Sequence, residues 1–515
     1  MIDSIMADTL FDRLQITANV DPLEQLQNVM SWYPNKRFYE RVSAKSGKRV
    51  LTVYPPSADC PVYSHEEWYA DDWQSPFLDI DQSVSFFAQF RELQKKAPVV
   101  ALLSSLQENA EYCQDSEGLK NCYLLFDALQ DQDVYYGTRI YRSKSCMDVY
   151  WIMDSELLYE CVYMFSCYNC RYSFHCSQAS DSAFLYDCRN VKHSFMCANL
   201  RNAEYCIRNV QYTREDYEAF MAAQDFTDAL FVLDLQKEWR EMISKAKTPS
   251  SILRQCEDVS GNYVQNGTQA LRTFESYDIR DAWNIFQCAS AKDIVGSFMC
   301  NDRVERCFQC CATGIGVSNT RNCAFTWHSA DMEYCYLCIG CSDCFGCIGL
   351  RNKKYHILNK PYTKEEYEQA KADVVVAMRE RSEYDSFFPR AFSPFLHEDT
   401  IAADFFGDET VDLFTAGYET ERSAFVKSDE TVRTCAVTGE QFRIIKQEQS
   451  FYESRGIAFP CISPAVRQTR RRQLMDTGFR ERQVITSAGE VIVTTFAHPE
   501  RWNLVTDKEY TETVY

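Results

Sequence analysis

Positive charge is in short supply in this chain. Its 54 Lys and Arg face 74 Asp and Glu, a formal net charge of −20. General nucleic-acid binding needs cations to displace counterions, so this balance argues against it. Histidine is scarcer still, seven in 515 residues, which leaves few imidazoles for metal or acid–base work. Long apolar runs are missing too: no stretch approaches the about 18 residues of a membrane-spanning helix. Residues 1–10 carry acids and no apolar core of signal-peptide length, so cytoplasmic synthesis as a soluble protein is expected. Phosphate-binding loops, dinucleotide fingerprints, His-Glu-x-x-His and nucleophile elbows are likewise lacking. The closest local Cys–His pair is Cys323 with His328, where the adjacent Trp327 points to packing. No residue earns a catalytic role, and no cofactor is implied.

What is present is cysteine, 25 of them, with 14% aromatic residues. The odd count, the large chain and the missing export signal argue against a secreted disulfide scaffold. A hydrophobic content of 46% excludes a disordered chain, and 515 residues exceed a single core, so three or four units are expected.

The chain also repeats itself. The segment from Phe195 through Leu200-Arg201-Asn202, Cys206, Asn209 and Thr213 to Tyr217 is matched by Phe345 through Leu350-Arg351-Asn352, His356, Asn359 and Thr363 to Tyr367. Ahead of each copy an aromatic-x-Cys unit recurs at nine-residue spacing. Tyr159-x-Cys161, Tyr168-x-Cys170, Tyr186-x-Cys188 and Phe195-x-Cys197 form one grid, extended by Cys113, Cys122 and Cys206. Tyr336-x-Cys338 and Phe345-x-Cys347 form another, with Cys335 and Cys344 in a parallel row. In a strand, positions i and i+2 share a face, so ring and thiol are expected to point the same way. Two or three units per coil, about 18 or 27 residues, suggest a parallel β-solenoid, a β-roll or β-helix, with Asn121, Asn169, Asp187, Asn322 and Asp343 at corners. The expected fold is mostly β.

Cys335-x-x-Cys338-x-x-Cys341-x-x-Cys344-x-x-Cys347 also has zinc- or iron–sulfur-like spacing, which makes these five thiols the candidate metal ligands. The same cysteines belong to the nine-residue rows, no Pro follows the last of them, and small buried thiols also serve as packing groups. The ladder is therefore the preferred reading and a bound metal the competing one.

Thr213-x-x-Asp216 and Thr363-x-x-Glu366 have helix-capping spacing, and helical patterns follow over about 213–246 and 363–384, placed to cover exposed solenoid ends. The expected order is a ribbon-like module (1–80), a leading helix (81–107), the first Cys-rich solenoid (108–212), a capping helix region (213–249), the second solenoid (250–360), a capping helix (361–386), a linker (387–427) and C-terminal ribbon-like modules (428–515). The flanks parallel each other: Val42 to Tyr54, around Gly47, matches Val484 to Phe496, around Gly489, each as a small β-hairpin module. Near the C-terminus Arg467, Arg470, Arg471 and Arg472 form the one basic cluster. It is either a solvated helix face beside acidic partners or a surface for an anionic partner.

Pro61-Val62-Tyr63 with Trp68 and Asp71-Asp72-Trp73, Phe86-Phe87-Ala88-Gln89-Phe90, Leu119-Lys120-Asn121-Cys122-Tyr123 and the two Leu-Arg-Asn segments together resemble an uncharacterised family of Cys-rich repeat proteins with zinc-ribbon modules, found in candidate-phyla bacteria. The resemblance covers most of the chain and brings no assigned activity. It implies ribbons of Cys-x-x-Cys and Cys-Pro-x-Cys-Arg, whose ligands are largely lost here. Cys435 stands at one ligand position, with Thr438, Ser463 and Val466 at the others and Cys461 out of register. The last module has Ile485, Ala488, Thr506 and Glu509, and the N-terminal one begins with Ser43 and Ser46. A zinc site needs about four thiolate or imidazole ligands, so these modules are expected to fold without zinc.

These features point to a non-catalytic repeat scaffold working with other protein subunits in a larger assembly such as a virion, surface layer or filament. One alternative is a metal- or cluster-binding module centred on Cys335–Cys347. The other is a polysaccharide-active β-helix enzyme, for which Asp278 with Asp281, or Asp181 with Asp187, are the nearest carboxylate pairs and are better placed as corner residues.

Overall fold

The computed structural model describes residues 21–250, 267, 273, 276, 278–283, 285–287, 290–299, 305–306, 308–313, 321, 324–327, 329–407, 417–425 and 430–515. It is 27% helical and 31% strand, mixed where a mostly β chain is expected, with many parallel strands and a closed five-strand barrel. Two compact units form, Met1–Leu102 with Ser251–Gly407, and Leu103–Ser250 with Asp408–Tyr515. Each Cys-rich region therefore shares a unit with a flank that is distant in sequence: the first with the C-terminal modules, the second with the N-terminal one.

In the Leu103–Ser250 unit, strands from Ser104–Ser105 to Arg201–Ile207 pair in parallel at a constant offset of twelve residues. Cys113 pairs with Leu125, Leu125 with Gly137, Gly137 with Val149 and Val149 with Cys161. Within this run every third residue from 106 to 208, Tyr112 excepted, has left-handed backbone, with φ between 44° and 68°. A left-handed residue breaks the two-residue alternation of a strand. One residue in three then points inward: Ala110, Cys113, Leu119, Cys122, Leu125 and Ala128 begin a buried row that runs on to Cys206.

The nine-residue grid is thus three triplets, three quarters of a twelve-residue repeat, and strands pair at an offset of twelve where 18 or 27 is expected. Ring and thiol do not share a face either. Asn169, at φ 48°, turns the chain between Tyr168, which is 47% exposed, and the fully buried Cys170.

The hydrogen bonding explains the composition. In each triplet one N–H reaches a carbonyl eleven residues ahead (Lys144 to Ser155, 3.0 Å) and the left-handed residue reaches one thirteen behind (Ser145 to Gln132, 2.9 Å). The third N–H, on the inward residue, has a side-chain acceptor twelve positions earlier in many of the repeats. Ser143 N–H donates to Asp131 Oδ1 (2.8 Å), Cys167 to Ser155 Oγ (3.1 Å), Leu158 to Cys146 Sγ (3.5 Å) and Asn209 to Cys197 Sγ (3.3 Å). Ser and Cys are small enough for a repeat with only four inward positions, and both can accept and donate. Cys161 and Cys146, for example, donate to the carbonyls two residues before them (3.3 and 3.2 Å). Left-handed non-Gly residues cost roughly 1–2 kcal/mol each, so stacking along each row must offset them. Asn121 Nδ2 donates to Asp133 Oδ1 (3.0 Å), and the Tyr172 and Phe184 rings stack at 4.8 Å.

The second Cys-rich region follows the same rule where it is described. Met332 pairs with Cys344 and Cys344 with His356, and left-handed residues recur at 331, 334, 337, 340, 343, 346, 349, 352, 355 and 358. Asn121, Asn169, Asp187 and Asp343 all occupy left-handed corners; Asn322 lies outside the described residues.

The duplicated segments terminate the two runs. In each, the last parallel strand is met by a short antiparallel one, Val210–Gln211 on Arg201–Ile207 and Lys360–Pro361 on Lys354–Ile357. An Asn side chain clamps the preceding repeat as a strand would. Asn209 Oδ1 accepts from Ala198 N–H (2.9 Å) and Nδ2 donates to Ala198 O (3.0 Å); Asn359 does the same to Ile348 (2.9 and 2.9 Å). Thr213 and Thr363 then cap the helices Arg214–Ala222 and Lys364–Glu380. The expected helical stretch 213–246 is two helices, the second being Ala229–Lys245.

The leading helix, Phe86–Gln94, lies on the second Cys-rich region where the sequence suggested the first. Phe86 packs against Tyr334 and Phe345 (5.3 and 5.1 Å), over a corner where only Gly346 leaves room. The expected linker is packed as well, with Phe387, Phe388, Phe395, Ile401 and Ala402 buried.

Candidate metal centre and buried charge cluster

Cys335, Cys338, Cys341 and Cys344 fill the four inward positions of one twelve-residue repeat, and Cys347 opens the next, twelve residues on from Cys335. All five are buried. Adjacent thiols neighbour one another, Cys338 and Cys347 acting on Cys335 and Cys338 and Cys344 on Cys341. Each thiol also donates to the carbonyl two residues before it, as from Cys335 to Glu333 O (3.4 Å) and Cys347 to Phe345 O (3.5 Å). Three of them accept an inward N–H, those of Cys347, Lys353 and Asn359 (each 3.4 Å). Burial pushes Cys335 and Cys338 well above the ordinary thiol range, while hydrogen bonds from Cys338 and Cys344 draw Cys341 below it.

The sulfurs are therefore brought together, as the spacing suggested, but as links of a hydrogen-bonded row that steps along the repeats. Among the described residues no group of three or more His, Cys, Asp or Glu is placed to hold a metal ion.

The ribbon-like modules hold other chemistry at their ligand positions. In the N-terminal one the Ser43 hydroxyl donates to Glu67 Oε2, Lys45 N–H donates to Ser43 Oγ (3.1 Å), and Ser64 N–H donates to the same Glu67 oxygen (2.9 Å). Burial pushes the Glu67 carboxyl up, and the Ser43 and Ser46 hydroxyls outweigh it and hold the group below its usual range. A hydroxyl–carboxylate cluster thus ties the Ser43 turn to the helix start at Ser64.

At the C-terminal counterpart Cys435 packs with Ile462 and Val466 and accepts Ser463 N–H (3.4 Å). In the last module Ile485 is 71% exposed, Thr506 caps the final helix, and Glu509 pairs with Lys247 (2.9 Å). One thiol among four positions does not fit a tetrahedral zinc site.

The basic cluster is neither a solvated face nor a surface. Arg467, Arg470 and Arg471 are buried on the helix Pro464–Met475 against the first Cys-rich region. Arg467 Nε meets Asp148 and its Nη2 meets Glu448 Oε1 (3.0 and 2.9 Å), and Arg471 meets Asp148 and Glu160 (3.0 and 3.4 Å). Arg470 pairs with Glu421, which also accepts from the Cys461 thiol (3.3 Å). Burial works against the Arg467 charge, and Asp148, Tyr452, Glu448 and Tyr136 together outweigh it. Arg472 is the exception, lowered to about 10 by burial. Asp148, Glu160, Glu421 and Glu448 are the partners that sequence reasoning missed. Asp148 and Glu160 lie 319 and 311 residues from Arg467 and Arg471, each a lone acid beside aromatic residues, whereas Glu421 and Glu448 are nearer in the chain but sit among ordinary polar residues.

Of the candidate carboxylate pairs, Asp181 and Asp187 are engaged by separate partners. Asp181 and Asp187 both occupy left-handed corners, but Asp181 accepts from Asn169 (2.8 Å) while Asp187 engages Arg201 (2.9 Å), Tyr510 and Asn199 (2.9 Å). Asp281 N–H pairs with Lys292 O (3.1 Å) in the other unit. Cys323 and His328 lie outside the described residues.

One interior group has no counterpart in these expectations. Asp131, 1% exposed, takes an inward position in the row of Leu119, Ser143 and Ser155. Its Oδ2 is buried without a hydrogen-bond partner, and burial pushes its carboxyl up to about 8. No helix among the described residues is long and apolar enough to cross a membrane. No protein-family model matches the chain, and no curated protein or solved structure matches it.

Proposed function

We propose that the chain is a non-catalytic repeat scaffold, each Cys-rich run winding as a β-solenoid of twelve-residue coils and displaying its outer rows to other protein subunits of an assembly. The observation that carries this reading is the unbroken twelve-residue register between residues 104 and 207. Inward side chains there are spent on stacking, while outward positions recur as aligned rows. One such row, Glu108, Lys120, Gln132, Lys144 and Glu156, joins successive repeats by main-chain bridges, with a Lys120–Glu108 ion pair at 3.0 Å. Repeat architectures present extended surfaces of this kind to macromolecular partners.

The family resemblance adds ribbon-like ends whose metal role has been taken over by hydroxyl, carboxylate and apolar groups. The metal-binding alternative is weaker because the Cys335–Cys347 thiols are already engaged with backbone carbonyls and N–H groups. The polysaccharide-active alternative is weaker because Asp181 and Asp187 are each engaged by separate partners.

Gentle fractionation of the native source with light scattering tests the scaffold. A defined complex well above the 59.9 kDa chain supports it, and a lone chain in every fraction rejects it.

A further inference from the structure

We propose that Arg171 and Arg455 form a clamp for a phosphate dianion, where the end of the helix Lys446–Arg455 meets the repeat strand Tyr168–Arg171. Both residues belong to the Leu103–Ser250 and Asp408–Tyr515 unit. Both are half-buried, and among the described residues neither makes an ion pair, in a chain where 74 acids face 54 bases. Each guanidinium is held by one carbonyl and one ring. Arg171 Nη2 donates to Arg455 O (3.4 Å), and its guanidinium lies over Phe226 at 5.5 Å. Arg455 Nη1 donates to Leu157 O (3.2 Å), and its guanidinium lies over Phe451 at 4.7 Å. Each side chain thus commits one of its five N–H groups to the protein, and the others are left for water or a ligand.

The electrostatics ask for an anion. Burial lowers the pKa of both groups, and the Arg171 charge lowers that of Arg455 further. Like charges brought together are costly, and an anion bridging them relieves the repulsion. The helix end does not balance them: its free carbonyls amount to about half a negative charge against two positive ones. Glu156 acts on Arg455 from beyond ion-pair distance. Planar guanidinium forks match the oxygen edges of a phosphate group, and a dianion balances two cations where a carboxylate balances one. The rings of Phe226 and Phe451 fix the planes of the two forks before the anion arrives, so little side-chain freedom is lost on binding.

Isothermal titration of the full chain with inorganic phosphate tests this, in chloride at constant ionic strength and about pH 8, where phosphate is largely dianionic. Saturable binding is expected. Arg171→Gln and Arg455→Gln should each weaken it about tenfold, the loss of a charge-assisted contact, and the double variant should abolish it. Arg214→Gln, on an exposed helix elsewhere in the unit, should leave it unchanged. Acetate at equal concentration should compete poorly. Competition by phosphoserine would mark the ligand as a phosphate group carried by another molecule, and failure to compete would mark it as the free ion; the clamp stands in both cases. Should a Gln variant fold poorly, Arg171→Lys and Arg455→Lys keep the charge and lose the fork, and about fivefold weakening is expected from each. The proposal fails if phosphate gives no more heat than chloride, or if the double variant binds phosphate as the parent does.

Discussion

Asp131 offers the sharpest test of the inward-residue rule. Its carboxyl sits where Ser143 and Ser155 sit in later repeats and does the same work, accepting the N–H twelve residues on (2.8 Å). Its second oxygen has no partner, and burial moves its pKa from 3.8 to about 8. At neutral pH the folded chain therefore holds a proton that the unfolded chain releases. The stability this group contributes is complete below about pH 4, falls as pH rises toward about 8, and is flat beyond. Between 3.8 and pH 7 lie about three pKa units, which correspond to about 4 kcal/mol. Asp131→Ser keeps the acceptor and removes the proton linkage. It should stabilise the surrounding repeats by about 2–4 kcal/mol at pH 8 and by little at pH 4. Asp131→Ala should gain less, because Ser143 N–H is left unpaired at a cost of about 1–3 kcal/mol. The assay is hydrogen-exchange protection of amides 131–146 at pH values bracketing 4 and 8, with urea unfolding beside it. A serine variant that is less stable at every pH, with the pH slope of the parent, would refute the reasoning.

Three further outcomes are expected. Asn209→Ala and Asn359→Ala each remove a two-bond clamp and should cost about 1–3 kcal/mol, with exchange rising first near Ala198 and Ile348 respectively. At Gly346 a Cβ would meet the Phe86 ring at 2.8 Å on a backbone of φ 66°. Gly346→Ala should therefore cost about 2–4 kcal/mol, whereas Gly47→Ala, with open space around it, should cost about 1 kcal/mol in thermal unfolding. Arg467→Met leaves Asp148 and Glu448 buried without their shared partner and should cost about 3–5 kcal/mol, read as a lowered urea midpoint.

Repetition, capping and the hairpin flanks were legible in the residues, because Cys spacing, Thr-x-x-acid and Gly-centred turns are local signals. The true period was not. Cysteine marks only some inward positions, others being Leu, Ala, Val, Ile, Met, Ser or Asp131, so thiols at Cys161, Cys170, Cys188 and Cys197 alias a three-residue rule into nine. The left-handed corners were hidden for a similar reason. Leu124, Tyr136, Trp151 and Phe184 occupy them as readily as Asn121, and no propensity marks a Trp for that conformation. The thiol spacing at Cys335–Cys347 was legible as convergence but not as chemistry. Whether five sulfurs share an ion or a hydrogen-bonded row depends on the backbone groups around them. The arginine cluster was misread because its counter-charges are remote: Arg467 and Asp148 lie 319 residues apart.

A register of twelve built from triplets also sets a grammar for changes in length. Removing or adding twelve residues inside the run deletes or inserts one whole layer and leaves every later side chain in its row. Three residues keep the inward positions inward but shift each row by a quarter turn, so that Asn ladders meet aromatic ones. One or two residues turn the whole downstream interior to the outside. Lineages of this chain should therefore differ in steps of twelve, and the number of repeats can change without redesign of either end.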